Sequence, residues 1–193
     1  MPYVSPQDRT VLDSHIFKLI DEMNKVITES DLPSLSSHID AVAAEIKNLD
    51  AKYGYYGAFA GELNYSMHTI FLCLLPDIRY WIMALSTGWL KRVALLFRTN
   101  FAGAVAEHEK SRDHIPFGTS RVFKHLTEWV LVRLAAAVAP DQSKDASDLI
   151  SGVFEHMDSE FYRRVGFAYE DKQIVKSGDV PKYKEWLDYI AKK

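Results

Sequence analysis

Hydrophobic positions recur every three or four residues along most of the chain, and no stretch alternates apolar and polar residues as a half-buried strand would. The pattern predicts an all-α fold: a helical bundle of about six to eight helices with little or no β-structure. Ser5-Pro6 opens a short first turn. Asp13 or Ser14 then caps a helix reaching about Thr28, with Ile16, Leu19, Ile20, Met23 and Ile27 on one face. Asp31-Leu32-Pro33-Ser34 breaks it, and a second helix from about Ser36 to Leu49 aligns Ile39, Val42, Ile46 and Leu49.

The aromatic, glycine-rich run Lys52–Gly61 reads as a loop or a close approach of backbone. A third helix follows from about Glu62 to Leu75. It aligns Leu63, Met67, Ile70, Phe71 and Leu74, while Leu72 and Cys73 fall outside that arc. Such a helix, apolar all round in its later turns, is expected to be central and buried. Residues 77–106 read as one broken or two consecutive helices, with the break at Ser86-Thr87-Gly88, and Glu107–Gly118 as a charged loop. Thr119 or Ser120 caps a helix with Val122, Leu126, Trp129, Val130 and Leu134 inward, and Asp141–Ala146 is turn-like. The next helix, about Ser147 to Ala168, points Ile150, Val153, Met157 and Phe161 inward. Past Gly178-Asp179-Val180-Pro181 a short terminal helix carries Tyr183, Trp186, Leu187 and Ile190.

Composition narrows the picture. The 193 residues suit a single helical domain spanning 1–193, and 48% hydrophobic residues suffice for a core. A formal net charge of −3 gives no nucleic-acid footprint, so no nucleic-acid partner is expected. The start of the chain lacks a basic segment followed by an apolar run, so it does not read as a signal peptide. The most apolar stretch, Ile78 to Phe97, is interrupted by Arg79, Lys91 and Arg92 and reads as core rather than as a membrane span. One cysteine, Cys73, rules out an intrachain disulfide. A cytoplasmic location follows as the expectation, with Cys73 a small buried hydrophobe.

Familiar chemistries fail on spacing. No Asp or Glu is followed by His three positions later, His-Glu-x-x-His is absent, and no phosphate-cradling glycine motif follows a strand. No metal or other cofactor is therefore expected, although a divalent ion held by distant residues stays open. Two polar clusters remain. In Gly61–Thr69, Glu62, Asn64, Tyr65 and His68 occupy the start of a helix that looks buried. They serve either as caps or as a binding surface. In Glu155–Arg164, helical spacing sets Glu160 beside Arg163 and Arg164, and Arg164 falls near the Val153–Met157–Phe161 face, half buried. Either an internal Glu160–Arg164 pair or a ligand anion would satisfy that arginine.

These clusters carry a resemblance. Met1-Pro2-Tyr3-Val4 with Asp8-Arg9, then Gly61, Leu63, Asn64 and Tyr65, then Glu155 with Glu160-Phe-Tyr-Arg-Arg164, Tyr169-Glu-Asp171, Lys172 and Gly178-Asp179-Val180 resemble a family of short phage and bacterial proteins without an assigned function. There are three departures. The family's threonine position falls on His68 or Thr69, Ser177 replaces an asparagine, and residues 76–140 look like an inserted helical segment. The resemblance implies that Glu62, Asn64, Tyr65, Glu160, Arg163 and Arg164 form one constellation, and for a phage-encoded chain it implies the host cytoplasm. The leading expectation is a polar pocket for a small anionic ligand, a nucleotide or phosphorylated metabolite, with hydrolysis open: Glu62 or Glu155 as base and an arginine stabilising charge. The rival is a non-enzymatic interaction protein that binds a host protein or self-associates, its Trp81, Trp89, Phe97 and Trp129 helices presenting an apolar surface.

Overall fold

In the computed structural model the described residues are 4–29, 33–53, 59–74, 88–111, 114–115, 121–139, 143–177 and 187–192, and they are helical almost throughout. The helices are α1 (Pro6–Glu29), α2 (Pro33–Tyr53), α3 (Phe59–Leu74), α4 (Trp89–Thr99), α5 (Phe101–Ser111), α6 (Val122–Val138), α7 (Lys144–Phe161) and α8 (Phe167–Ser177). A five-residue π-turn, Tyr162–Gly166, joins α7 to α8. The all-α expectation is met. The chain divides into two units, Met1–Met157 and Asp158–Lys193, with α7 crossing the division.

Within the first unit α1, α2 and α3 pack on one another, α6 packs on α2 and α3, and α5 packs on α4 and α6. Most of the predicted stripe positions face inward: Ile16, Leu19 and Met23 of α1, Ile39, Val42 and Ile46 of α2, Leu63, Met67 and Ile70 of α3, and Leu126, Val130 and Leu134 of α6 are fully buried, while Ile27 is half-buried and Leu12, not predicted, joins the α1 stripe. Burying each such side chain stabilises the fold by about 1.5–3 kcal/mol before chain entropy is charged against it.

Helix ends differ from the sequence reading where a side chain found a better use. Helix α1 starts at Pro6 and runs unbroken, because Ser5 Oγ accepts from the Asp8 backbone N–H at 3.2 Å and donates to Asp8 Oδ2 at 2.6 Å. Asp13 and Ser14 therefore cap nothing. The predicted charged loop is helical up to Ser111, since Phe101, Ala104 and His108 continue a buried face while Glu107 and Lys110 point outward. Asn100 separates α4 from α5. Its N–H donates to the Leu96 carbonyl at 2.8 Å, and its Oδ1 accepts from the Gly103 N–H at 2.9 Å, so one residue ends one helix and caps the next. A Cβ at Gly103 would meet Asn100 Nδ2 at 2.2 Å, so the glycine makes room for that cap. The break at Gly88 is observed, with φ +60° leading into α4. The expected Ser86-Thr87 part of it, Trp81, the loop at 54–58, Asp141, Gly178–Pro181, Tyr183 and Trp186 lie outside the described residues.

Two further expectations fail. Cys73 and Leu72 are exposed, because they lie on the side of α3 away from its buried Leu63, Met67, Ile70 and Phe71. Conversely, Trp89, Phe97 and Trp129 present no apolar surface; each is at most 1% exposed. Phe97 packs edge-to-face on Phe101 at 4.9 Å and stacks on Phe154 at 5.7 Å, which locks α4, α5 and α7 into one aromatic cluster. Ser151 Oγ of α7 reinforces it by donating to the Ala94 carbonyl of α4 at 2.9 Å. No helix among the described residues is long and apolar enough to cross a membrane.

Candidate functional site: the Asn64–His68–His156 cluster

Helix α3 enters the core with polar residues on its first two turns, and three of these face different neighbours. Asn64 Nδ2 donates to His156 Nδ1 of α7 at 3.0 Å, and Asn64 Oδ1 lies 2.8 Å from His68 Nδ1. The His68 and His156 rings meet edge-to-face at 5.8 Å. All three residues are half-buried.

The hydrogen bonds fix the proton positions. His68 Nδ1 is also 3.1 Å from the Asn64 backbone carbonyl, which only accepts, so Nδ1 carries a hydrogen. Asn64 must then turn its oxygen toward His68 and its amino group toward His156. His156 Nδ1 accepts that N–H, and its own hydrogen moves to Nε2. Asparagine thus sets two imidazoles in opposite tautomers, with the His156 hydrogen on Nε2.

Tyr65 turns the other way. Its hydroxyl donates to Asp13 Oδ1 of α1 at 2.8 Å, and the Arg9 guanidinium lies over its ring at 5.3 Å. Burial first, then the Asp13 hydrogen bond and charge, push the phenol up, so it stays a donor. Glu62 is 7% exposed, and its Oε2 has no hydrogen-bond partner among the described residues. Burial, aided by the Asp50 and Asp8 charges, raises its carboxyl above the usual range. Asp8 in turn holds Lys52 Nζ of α2 at 3.1 Å.

Glu155 lies on the exposed side of α7, paired with Arg98 Nη2 of α4 at 3.0 Å. Glu160, Arg163 and Arg164 belong to the Asp158–Lys193 unit, where they close on one another. Arg163 donates to Glu160 Oε2 through Nε at 2.8 Å and to Oε1 through Nη2 at 2.6 Å, and Arg164 Nε donates to Oε1 as well. The internal pairing is the one observed, but Arg164 is not half-buried: its side chain is 63% exposed. The π-turn explains this. Its i→i+5 bond, from the Phe167 N–H to the Tyr162 carbonyl, adds a residue to the turn and swings position 164 off the Phe161 stripe.

Those two guanidiniums hold the Glu160 carboxyl at about 2. A carboxyl depressed below its ordinary value of 4.5 contributes stability that is complete above that pH and is lost as pH falls toward 2. Helix content around 158–177 should therefore fall between those values, and Glu160→Gln should flatten that part of the acid limb. An unchanged acid limb in the variant would exclude the pairing in solution.

Reasoning from sequence missed His156, Asp13 and Arg9 as partners. The signal for His156 was slight: a histidine beside the Val153–Met157 stripe, at a helix edge where a partner is needed. No cluster of three or more His, Cys, Asp or Glu side chains among the described residues is placed to hold a metal ion.

A family model described as a domain of unknown function, DUF6899, matches residues 1–114 and 126–180. The chain belongs to this family. The match takes in Asp8, Arg9, Glu62–His68 and Glu155–Arg164, as well as most of the segment 76–140, and its gap falls at 115–125. DUF6899 carries no assigned function, in keeping with the resemblance read from the motifs. No curated protein and no solved structure matches the chain.

Proposed function

We propose that Asn64, His68 and His156 form a binding site for a small anionic ligand, a nucleotide or a phosphorylated metabolite, in the Met1–Met157 unit. The observation that carries this reading is the three-residue hydrogen-bond chain between α3 and α7. An acceptor-rich ligand needs a donor, and the tautomer that Asn64 imposes on His156 places an N–H at Nε2. Binding fits better than hydrolysis, because Glu155 is occupied by Arg98 and Glu62 is buried. In the phage or bacterial setting implied by the motifs, such a protein would sense or sequester a host metabolite.

Thermal-shift titration with nucleotides and with inorganic phosphate tests the reading. A ligand at about a hundred times its Kd stabilises the fold by roughly 2.7 kcal/mol. The shift should be present in wild type and absent in His156→Gln. If no nucleotide or phosphate moves the wild-type midpoint, or His156→Gln responds equally, the site is abandoned.

The interaction-protein reading keeps one supporting observation on different residues from those first named. In the Asp158–Lys193 unit Phe167 and Val175 are 55% and 89% exposed, which suits contact with a protein partner or a second copy. A single-chain mass in solution, unchanged by added host lysate, would count against it.

A further inference from the structure

His108 is a buried imidazole outside the site above, and both of its ring nitrogens face acceptors. It lies on α5 and is 7% exposed. Its Nδ1 is 2.7 Å from the Ala104 carbonyl one turn earlier, and its Nε2 is 3.2 Å from Glu128 Oε1 of α6. A carbonyl and a carboxylate only accept, and a neutral imidazole has a single N–H. Both bonds are made only when the His108–Glu128 pair holds one proton more than neutral histidine and ionised glutamate would. Without that proton one ring nitrogen turns a lone pair toward an acceptor inside the fold, the Ala104 carbonyl or the Glu128 carboxylate according to the tautomer, an arrangement that burial penalises.

We propose that His108 and Glu128 form a pH-operated latch between α5 and α6, fastened through both ring nitrogens while the pair holds its proton and loosened when the proton leaves.

The surrounding charges favour this assignment. Burial lowers the His108 value. The Glu128 hydrogen bond, the Ala104 carbonyl, and the Glu128 and Glu107 charges outweigh it, and the net effect is upward. Of the cations on the helices packed against α5, Arg133 of α6 is paired with Glu109 at 3.0 Å and Arg98 of α4 with Glu155 at 3.0 Å. Lys91 and Arg92 of α4 are exposed. Arg121, just before α6, and Lys124 of α6 act on the half-buried His125, which burial first of all pushes down against the opposing Glu128 charge. Glu128 therefore favours the charged form of His108 on balance, whereas at His125 burial outweighs it. A histidine raised above its ordinary 6.5 contributes stability that is complete below that pH and is lost as pH rises through the folded value. The seam therefore loosens on the alkaline side, not in acid.

Histidine NMR titration of the full chain tests the latch, read together with amide exchange across pH 6 to 9. The His108 midpoint should lie above 6.5. Glu128→Gln should bring it down, since it removes both the carboxylate bond and its charge. As pH rises past the midpoint, amides of α5 and α6 should lose protection relative to those of α1 and α2 in the same sample, which cancels the intrinsic base catalysis of exchange. A wild-type midpoint at or below 6.5, or α5–α6 protection that tracks α1–α2 throughout, overturns the proposal. The wild-type titration decides even where the variant does not fold.

Discussion

Phe97→Ala should destabilise the protein by about 3–5 kcal/mol, lowering the melting midpoint by roughly 10 °C or more. Phe97 is completely buried, and its ring touches one ring from α5 and one from α7, so the cavity is bounded by three helices that cannot all collapse into it. Leu95, two residues earlier on the same helix, supplies the control. It is 58% exposed, and Leu95→Ala should change stability by no more than about 0.5 kcal/mol. Chemical denaturation of both variants settles the matter, and equal losses would mean that α4 does not pack through Phe97. The contrast also tests the corrected interaction reading, in which the aromatic residues of this segment stabilise the fold instead of meeting a partner.

Glu62→Met carries the opposite sign. A carboxylate with a buried, unpartnered oxygen costs stability, and an apolar side chain of similar volume removes that cost. The gain at pH 7 should be about 1–3 kcal/mol. Its pH dependence follows from the raised carboxyl. The folded protein holds the proton above the ordinary 4.5, so the penalty is absent below that pH and grows as pH rises through the folded value. Melting curves at pH 4.5 and 7.5 should show the wild type and variant converging in acid and separating at neutrality, with Glu62→Met the more stable. A variant less stable at pH 7.5 would show that the carboxylate is held by a partner after all. A residue that costs stability where an apolar one would not is a mark of use, and Glu62 lies one turn before Ser66, whose buried hydroxyl also lacks a hydrogen-bond partner among the described residues.

Parts of the candidate site were legible because local geometry alone produces them. Glu160 with Arg163 and Arg164 follows from three- and four-residue spacing on one helix, and the pairing is observed. The exposure of Arg164 was not legible, since a π-turn leaves no periodic trace in five residues. Asn64 and His68 lie one turn apart and could be read as neighbours. Their third member, His156, is 92 positions from Asn64, and no spacing rule joins them. Tyr65 and Asp13 are separated in the same way, by 52 positions.

Taken alone, the order of apolar and polar residues determined the fold class and nearly every inward stripe, because burial of one helix face is a short-range pattern with a fixed period. It also placed the polar start of α3, since a polar run before a buried segment stands out locally. Tertiary structure decided which helix each polar residue answers to. Asp13 reads as a cap until Tyr65 is brought beside it, and Glu107–Ser111 read as a loop until Phe101, Ala104 and His108 have a core to face. Hydrogen bonds and ion pairs are directional contacts between chain-distant atoms, fixed only when packing sets the distances. The function proposed for Asn64, His68 and His156 rests on such a contact, the one between α3 and α7.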